Sequence, residues 1–328
     1  MQNLEVQYLG LSLSSPLVAA ASPFTGSLDS ICALADAGIG GVVLRSIFEE
    51  QIRAEVEDME SALDLEQHAE VYDYLRADLP MQIGPEHYLD LVRDAKRAVD
   101  VPVIGSINCT TPGQWPAFAR KVELAGADAL ELNVYDIPMD GTESGADVER
   151  RHLEMVRGVC DIVSIPIAVK IGAQYSSITH FVRQLDALGV AGVVIFNRFF
   201  QPQINLDTLT LGKGVNLSHA GDAGVAIRWL AILRHQVRCD LGMTTGVHTY
   251  GDVLRGLVAG ANSTQLCTAL YGPDGFACIE QMRSQISDWM SDKGYDSIDQ
   301  FQGILSEPTE GPSRGFSRAQ YVKTLLEQ

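Results

Sequence analysis

No stretch of the 328 residues comes near the ~18 continuous apolar residues of a membrane-spanning helix. The cysteines Cys32, Cys109, Cys160, Cys239, Cys267 and Cys278 include no C-x-x-C pair, and most stand in apolar runs. That pattern reads as reduced core thiols rather than a disulfide framework. The seven histidines are scattered without H-x-x-x-H spacing, so no metal site is expected. Basic residues are scarce: 24 Lys and Arg against 42 Asp and Glu leave a net charge of −18. Such a surface disfavours a nucleic-acid backbone or an anionic membrane as partner. The first residues carry Glu5 and no basic run, so no signal peptide is expected and a cytoplasmic location follows. The composition, 46% hydrophobic and 20% charged, is that of a soluble protein with a large core.

Apolar strand-like runs alternate with helical patterns along the chain. After an opening hairpin over residues 4–13, strands are expected at Pro16–Ala20, Gly41–Arg45, Pro102–Ile107, Ala129–Asn133, Pro166–Ile171, Gly192–Asn197, Arg238–Gly242 and Asn262–Cys267. Helices are expected between them and after the last, at Leu28–Ala37, His87–Val99, Gln114–Ala125, Asp147–Asp161, Ile178–Leu188, Ala223–Gln236, Tyr250–Ala259 and Phe276–Lys293. Gly38, Gly126, Gly189 and Gly260 fall just past helices, where a left-handed cap is needed. Strict alternation demands a parallel sheet, and eight units close as an α/β (β/α)8 TIM barrel of residues 1–328. Insertions follow strand two (47–83, acidic) and strand six (198–222, with hairpin-like alternation from Ile204 to Leu211). Both leave from carboxyl ends of strands and should cover one mouth.

Polar residues gather at those same ends. In order they are Ala21-Ser22, Arg45-Ser46, Asn108, Asn133, Lys170, Asn197, Thr244-Thr245-Gly246 and Thr268. Lys170 lies in Ile-Pro-Ile-Ala-Val-Lys-Ile-Gly, apolar on both sides. A lysine there needs a partner, since an unpaired buried ammonium costs several kcal/mol. The partner is either an internal carboxylate, Asp136 or Glu131, or an electron-rich ligand. A flavin suits the second reading, because a fixed cation stabilises its anionic reduced ring. Arg45 is open to the same argument, or to a salt bridge with the acidic insertion. Asparagines at three strand ends point to an amide-rich or carboxylate-bearing small molecule. Loops seven and eight are the usual phosphate cradle of such barrels. Thr249 with Asp252 reads as a helix-capping pair, and His219 and His248 as mouth-loop residues.

Taken in order, Leu17–Pro23, Val103–Asn108, Glu131-Leu132-Asn133, Val169-Lys170, Asn197, Gly246–Asp252, Thr268-Ala269 and Lys293–Phe301 resemble the class 1 type dihydroorotate dehydrogenases nearly end to end. The resemblance implies a flavin mononucleotide (FMN) oxidoreductase on a (β/α)8 barrel, acting on a CH–CH bond in pyrimidine biosynthesis, and a homodimer. It implies flavin contacts from Ala21, Ser22, Ser46, Lys170, Asn133 and Asn197, the two last also open to the substrate; Arg45 and Asn108 are cofactor candidates from their strand-end positions alone. Phosphate contacts would come from Thr245, Gly246 and Thr268. The chain departs from the family where Asn133-Val134-Tyr135-Asp136-Ile137-Pro138 replaces Asn-Leu-Ser-Cys-Pro-Asn, so the Cys or Ser base is missing. Asp136, with Lys170, is the catalytic candidate in its place, and Tyr135 the alternative acid. Arg45 stands where the family has lysine, and Cys267 where it has a phosphate-side glycine. A non-catalytic flavin-binding or partner-binding barrel, and a flavin-free phosphate-binding lyase or isomerase, are the alternative readings.

Overall fold

The computed structural model describes residues 2–52, 84–109, 113, 115–198, 203–212, 217–306, 322 and 326. The acidic stretch 53–83 expected as an insertion lies outside the described residues, as does the start of the third helix at Gln114.

The chain opens with an antiparallel hairpin, β1 (Val6–Tyr8) and β2 (Leu11–Leu13), and then begins the alternation. Its strands are β3 (Leu17–Ala19), β4 (Gly41–Val43), β6 (Val103–Cys109), β7 (Ala129–Val134), β8 (Ile167–Ile171), β9 (Gly192–Ile195), β12 (Asp240–Met243) and β13 (Ser263–Leu266). The pairing runs β4-β3-β13-β12-β9-β8-β7-β6, all parallel, and β6 pairs back with β4 to close the barrel. A short β5 (Ile47–Phe48), the start of the first insertion, adds to β6. Helices α1 (Leu28–Asp36), α2 (Pro85–Ala98), α3 (Trp115–Leu124), α4 (Gly145–Cys160), α5 (Ile178–Ala187), α6 (Ala223–Leu233), α7 (Tyr250–Ala259) and α8 (Ala277–Lys293) follow the strands in turn. The barrel and its eight expected helices are therefore present. In the second insertion, β10 (Gln203–Asn205) and β11 (Thr210–Gly212) form the expected hairpin.

The strands are short and mostly apolar because helices cover the outside and side chains fill the inside. Every residue of β3, β4, β8 and β9 is buried. Helix starts use the capping chemistry that their sequences suggest. Ser144 Oγ accepts from the Asp147 amide, and Thr249 Oγ1 does the same for Asp252. The Asp252 carboxylate accepts in return from the Thr249 amide at 2.9 Å, completing the box.

The opening hairpin acts as a plug. Tyr8 at the end of β1 and Leu9 in the turn are both 1% exposed, and the Leu9 amide donates to Asp240 Oδ2 at 2.7 Å, at the start of β12. Two strand glycines make room for it. A Cβ on Gly192 would stand 2.5 Å from Leu9 Cδ2, and one on Gly242 would stand 2.9 Å from Tyr8 Oη. The plug and the absent side chains are complementary, so Gly192→Ala should cost about 1–3 kcal/mol by overpacking. Urea unfolding measures the loss, and Leu9→Ala in the same chain should restore part of it. Equal stability of Gly192→Ala and the parent protein would contradict this packing.

Candidate active site at the barrel mouth

Register decides which side chains meet. Direct neighbours on paired parallel strands stand at one level, and here Asn108 pairs with Asn133, Asn133 with Lys170, and Lys170 with Val194. Two residues back along β7, on the same side of the strand, lies Glu131. Three polar residues on three successive strands thus share a layer near the carboxyl ends, with a carboxylate beneath them.

Lys170 is 7% exposed and is not left alone. Its Nζ donates to Gln265 Oε1 at 3.3 Å and stands 3.6 Å from Glu131 Oε1. The Gln265 amide nitrogen donates to Glu131 Oε2. Of the two carboxylates weighed as partners, the structure selects Glu131. Asp136 pairs instead with Arg151 Nη1 at 2.8 Å and His152 Nε2 at 3.3 Å.

Lys170 borders a cavity of about 310 Å³, near the lower end of the ~300–1,000 Å³ usual for small-molecule sites. Ala21, Ser22, Asn197, Thr245, Gly246 and Thr268 line it with Lys170, so seven of the sequence-derived positions converge on one space. Asn133 joins through Asn197, whose Nδ2 donates to Asn133 Oδ1 at 2.7 Å. Ser22 Oγ is buried on the cavity wall without a hydrogen-bond partner, a group a ligand would satisfy. Gly246 has φ +80°, and a Cβ there would collide with the backbone of Ala223 at the start of α6. Only glycine lets this loop lie so close to the helix. Beside it, Ser218 Oγ donates to Thr268 Oγ1 at 2.9 Å and meets His248 Nε2 at 3.1 Å.

Other expected residues stand further out. Ser46 bonds Ser106 Oγ at 2.8 Å and, with Arg45, lines a separate small pocket beside Phe48 and Tyr88. Arg45 is exposed, yet close enough to Tyr271, a residue of the Lys170 cavity, to act on its hydroxyl electrostatically. Asn108 is buried in the shared layer but does not line the cavity. Asp136 borders a different cavity of about 290 Å³ with Glu143, His152, Gln174 and Tyr175. There His152, 3% exposed, bonds the Tyr175 hydroxyl at 3.0 Å, and burial holds its imidazole below the ordinary value against the pull of Asp136. Between these spaces lies a third, of about 380 Å³. It shares Asn197, Arg198, Thr244 and Thr245 with the Lys170 cavity and Gln174 with the Asp136 cavity. Cys267 faces the first cavity, where burial pushes its thiol up while Lys170 and Arg198 draw it down.

Sequence reasoning missed Gln265 and Arg151. Gln265 had a visible signal, since it interrupts a buried strand as Lys170 does. Arg151 had none, because it reaches Asp136 from α4, and the fold of the connecting loop sets that contact.

A family model described as dihydroorotate dehydrogenase matches residues 82–290. The catalytic subunit of dihydroorotate dehydrogenase B (NAD(+)) from Pyrococcus abyssi is 26% identical over 92% of this chain and 98% of its own length. The NAD-dependent dihydropyrimidine dehydrogenase subunit PreA of Escherichia coli K12 is 24% identical over 96% of this chain and 80% of its own. A crystal structure of DHODH from Eimeria tenella in complex with ferulenol superposes with a TM-score of 0.67 at 12% identity, covering 93% of this chain and 89% of that one. With matched residues running from before α2 into α8, this chain belongs to the dihydroorotate dehydrogenase family.

Proposed function

We propose that the protein is an FMN-dependent oxidoreductase acting on a CH–CH bond of a small, carboxylate-bearing molecule. One observation carries the reading: a nearly buried lysine ammonium borders a cavity of about 310 Å³ that is also lined by a glycine-dependent loop packed on a helix start. The donor set fits a flavin. Lys170 offers a cation to an electron-rich ring edge, and the Asn133–Asn197 amide pair and the partnerless Ser22 hydroxyl offer hydrogen bonds. Ala21 supplies backbone on the same wall, while Thr245, Gly246 and Thr268 form the cradle suited to a phosphate. When bound, the flavin supplies a two-electron hydride acceptor.

The neighbouring space lined by Asn197 and Arg198 would take the substrate, whose carboxylate would compete for the Arg198 guanidinium with Asp222, 4.0 Å from it. Asp136 remains the candidate for moving the substrate proton, and Lys170 for holding charge beside the ring. In the structure Arg151 and His152 hold Asp136 in the adjacent cavity, so this role requires Asp136 to swing past Gln174. Arg45, Ser46 and Asn108 act at the rim or through the layer below. A cytoplasmic homodimer is the expected form, and exposed Ile204, Leu206 and Leu209 on the β10–β11 hairpin supply apolar surface for the contact.

Purified protein should be yellow, or should turn yellow on titration with FMN. A colourless protein that takes up no FMN would overturn the reading. Lys170→Met should weaken FMN binding roughly 10- to 100-fold, the loss of one charge-assisted hydrogen bond, measured by quenching of flavin fluorescence. Gly246→Ala should lower stability by about 1–3 kcal/mol, because its backbone is left-handed and its Cβ has no room, and should weaken FMN binding as well. Unchanged melting and binding in that variant would contradict the cradle assignment.

A further inference from the structure

We propose that Glu131 is a positioning residue for Lys170: with Gln265 as an amide bridge across the barrel, it keeps the lysine charged and aimed at the cavity. The inference rests on the flavin reading for its purpose but not for its geometry. Glu131 is 1% exposed and Gln265 is 2% exposed. They come from distant strands, β7 and β13, separated in the sheet by β12, β9 and β8. Their contacts admit one polarity. The Gln265 amide nitrogen donates to the carboxylate, so its carbonyl oxygen is turned to the ammonium. A neutral amide therefore receives from the cation with one end and donates to the anion with the other.

One atom of this set is unfinished. Glu131 Oε1 is buried and accepts no hydrogen bond, although Lys170 Nζ stands 3.6 Å away. Lys170 carries three N–H donors and spends one on Gln265. A small movement of Nζ toward Glu131 would add a hydrogen bond to the ion pair, and a small movement away would turn an N–H toward a ligand. The carboxylate is thus a resting acceptor that the ligand competes with. Its charge is also what keeps an ammonium acceptable at 7% exposure, since burial without a counter-charge disfavours the charged form of a lysine.

The decisive substitution is Glu131→Gln, which preserves size and removes the charge. Two readouts follow it, neither of them turnover. The first is pulse acetylation of the flavin-free protein, with mass spectrometry reporting Lys170 against exposed Lys121 and Lys293 as internal references. The neutral amine reacts, so labelling at Lys170 reports how firmly its ammonium is held by the buried carboxylate. Glu131→Gln should label on the order of tenfold faster between about pH 7 and pH 9. The second is the FMN dissociation constant, which should be on the order of tenfold higher for Glu131→Gln than for the parent. Glu131→Asp keeps the charge and should restore the parent profile in part; it also serves if Glu131→Gln does not fold. Matching labelling profiles for parent and Glu131→Gln, or a Glu131→Asp profile that differs from the parent as an uncharged variant would, overturn the inference. Parent protein that shows the labelling difference but binds no FMN would instead overturn the flavin reading and leave Glu131 as the lysine's anchor.

Discussion

The cross-barrel contact of Glu131, Gln265 and Lys170 is the constraint around which the rest is arranged. A barrel interior is normally filled with branched apolar side chains, and three polar ones with a net cost of desolvation displace them here. The arrangement holds because each partner is fixed by a separate strand whose register the outer helices enforce. Strand pairing sets Lys170 level with Asn133 and Asn108, and alternation sets Glu131 below. The amides at the mouth and the cation between them are consequences of that register.

The two ends of the barrel solve opposite problems. At the amino ends, Tyr8 and Leu9 seal the interior against the missing side chains of Gly192 and Gly242, and burial lifts both the Tyr8 hydroxyl and the Asp240 carboxyl toward their neutral forms. At the carboxyl ends the described residues line adjoining cavities. A cation anchored from below by Glu131 and Gln265 and bordering a cavity is a fixed charge of the kind that stabilises a developing anion.

Local signals made most of the scaffold legible. Alternating apolar runs and helical periodicity located every barrel strand, and the left-handed glycines Gly38, Gly126, Gly189 and Gly260 marked where helices end. Lys170 stood out because a charge inside a buried strand must be accounted for, and the same logic applied to Gln265 would have found its bridge. Asn133 and Asn197 were expected on one rim and are hydrogen-bonded to each other. What sequence could not supply was the path of the loop after β7. By the family resemblance Asp136 falls where a Cys or Ser base is expected, but Arg151 and His152, one helix further on, draw its carboxylate into a neighbouring cavity. Arg45 and Ser46 likewise sit at a strand end as expected, yet they open on a different pocket, because β5 extends the chain alongside β6. Strand ends are fixed by the sheet, whereas side-chain partners beyond them depend on loop packing.

The most direct measurement is a crystal structure of the protein grown or soaked with FMN. The ring should lie in the cavity with its pyrimidine edge within hydrogen-bond distance of Lys170 Nζ, Asn133 and Asn197 beside it, and the phosphate on the Thr245–Gly246 and Thr268 loops. Flavin density in another place, or a Lys170 ammonium turned away from it toward bulk water, would contradict the account.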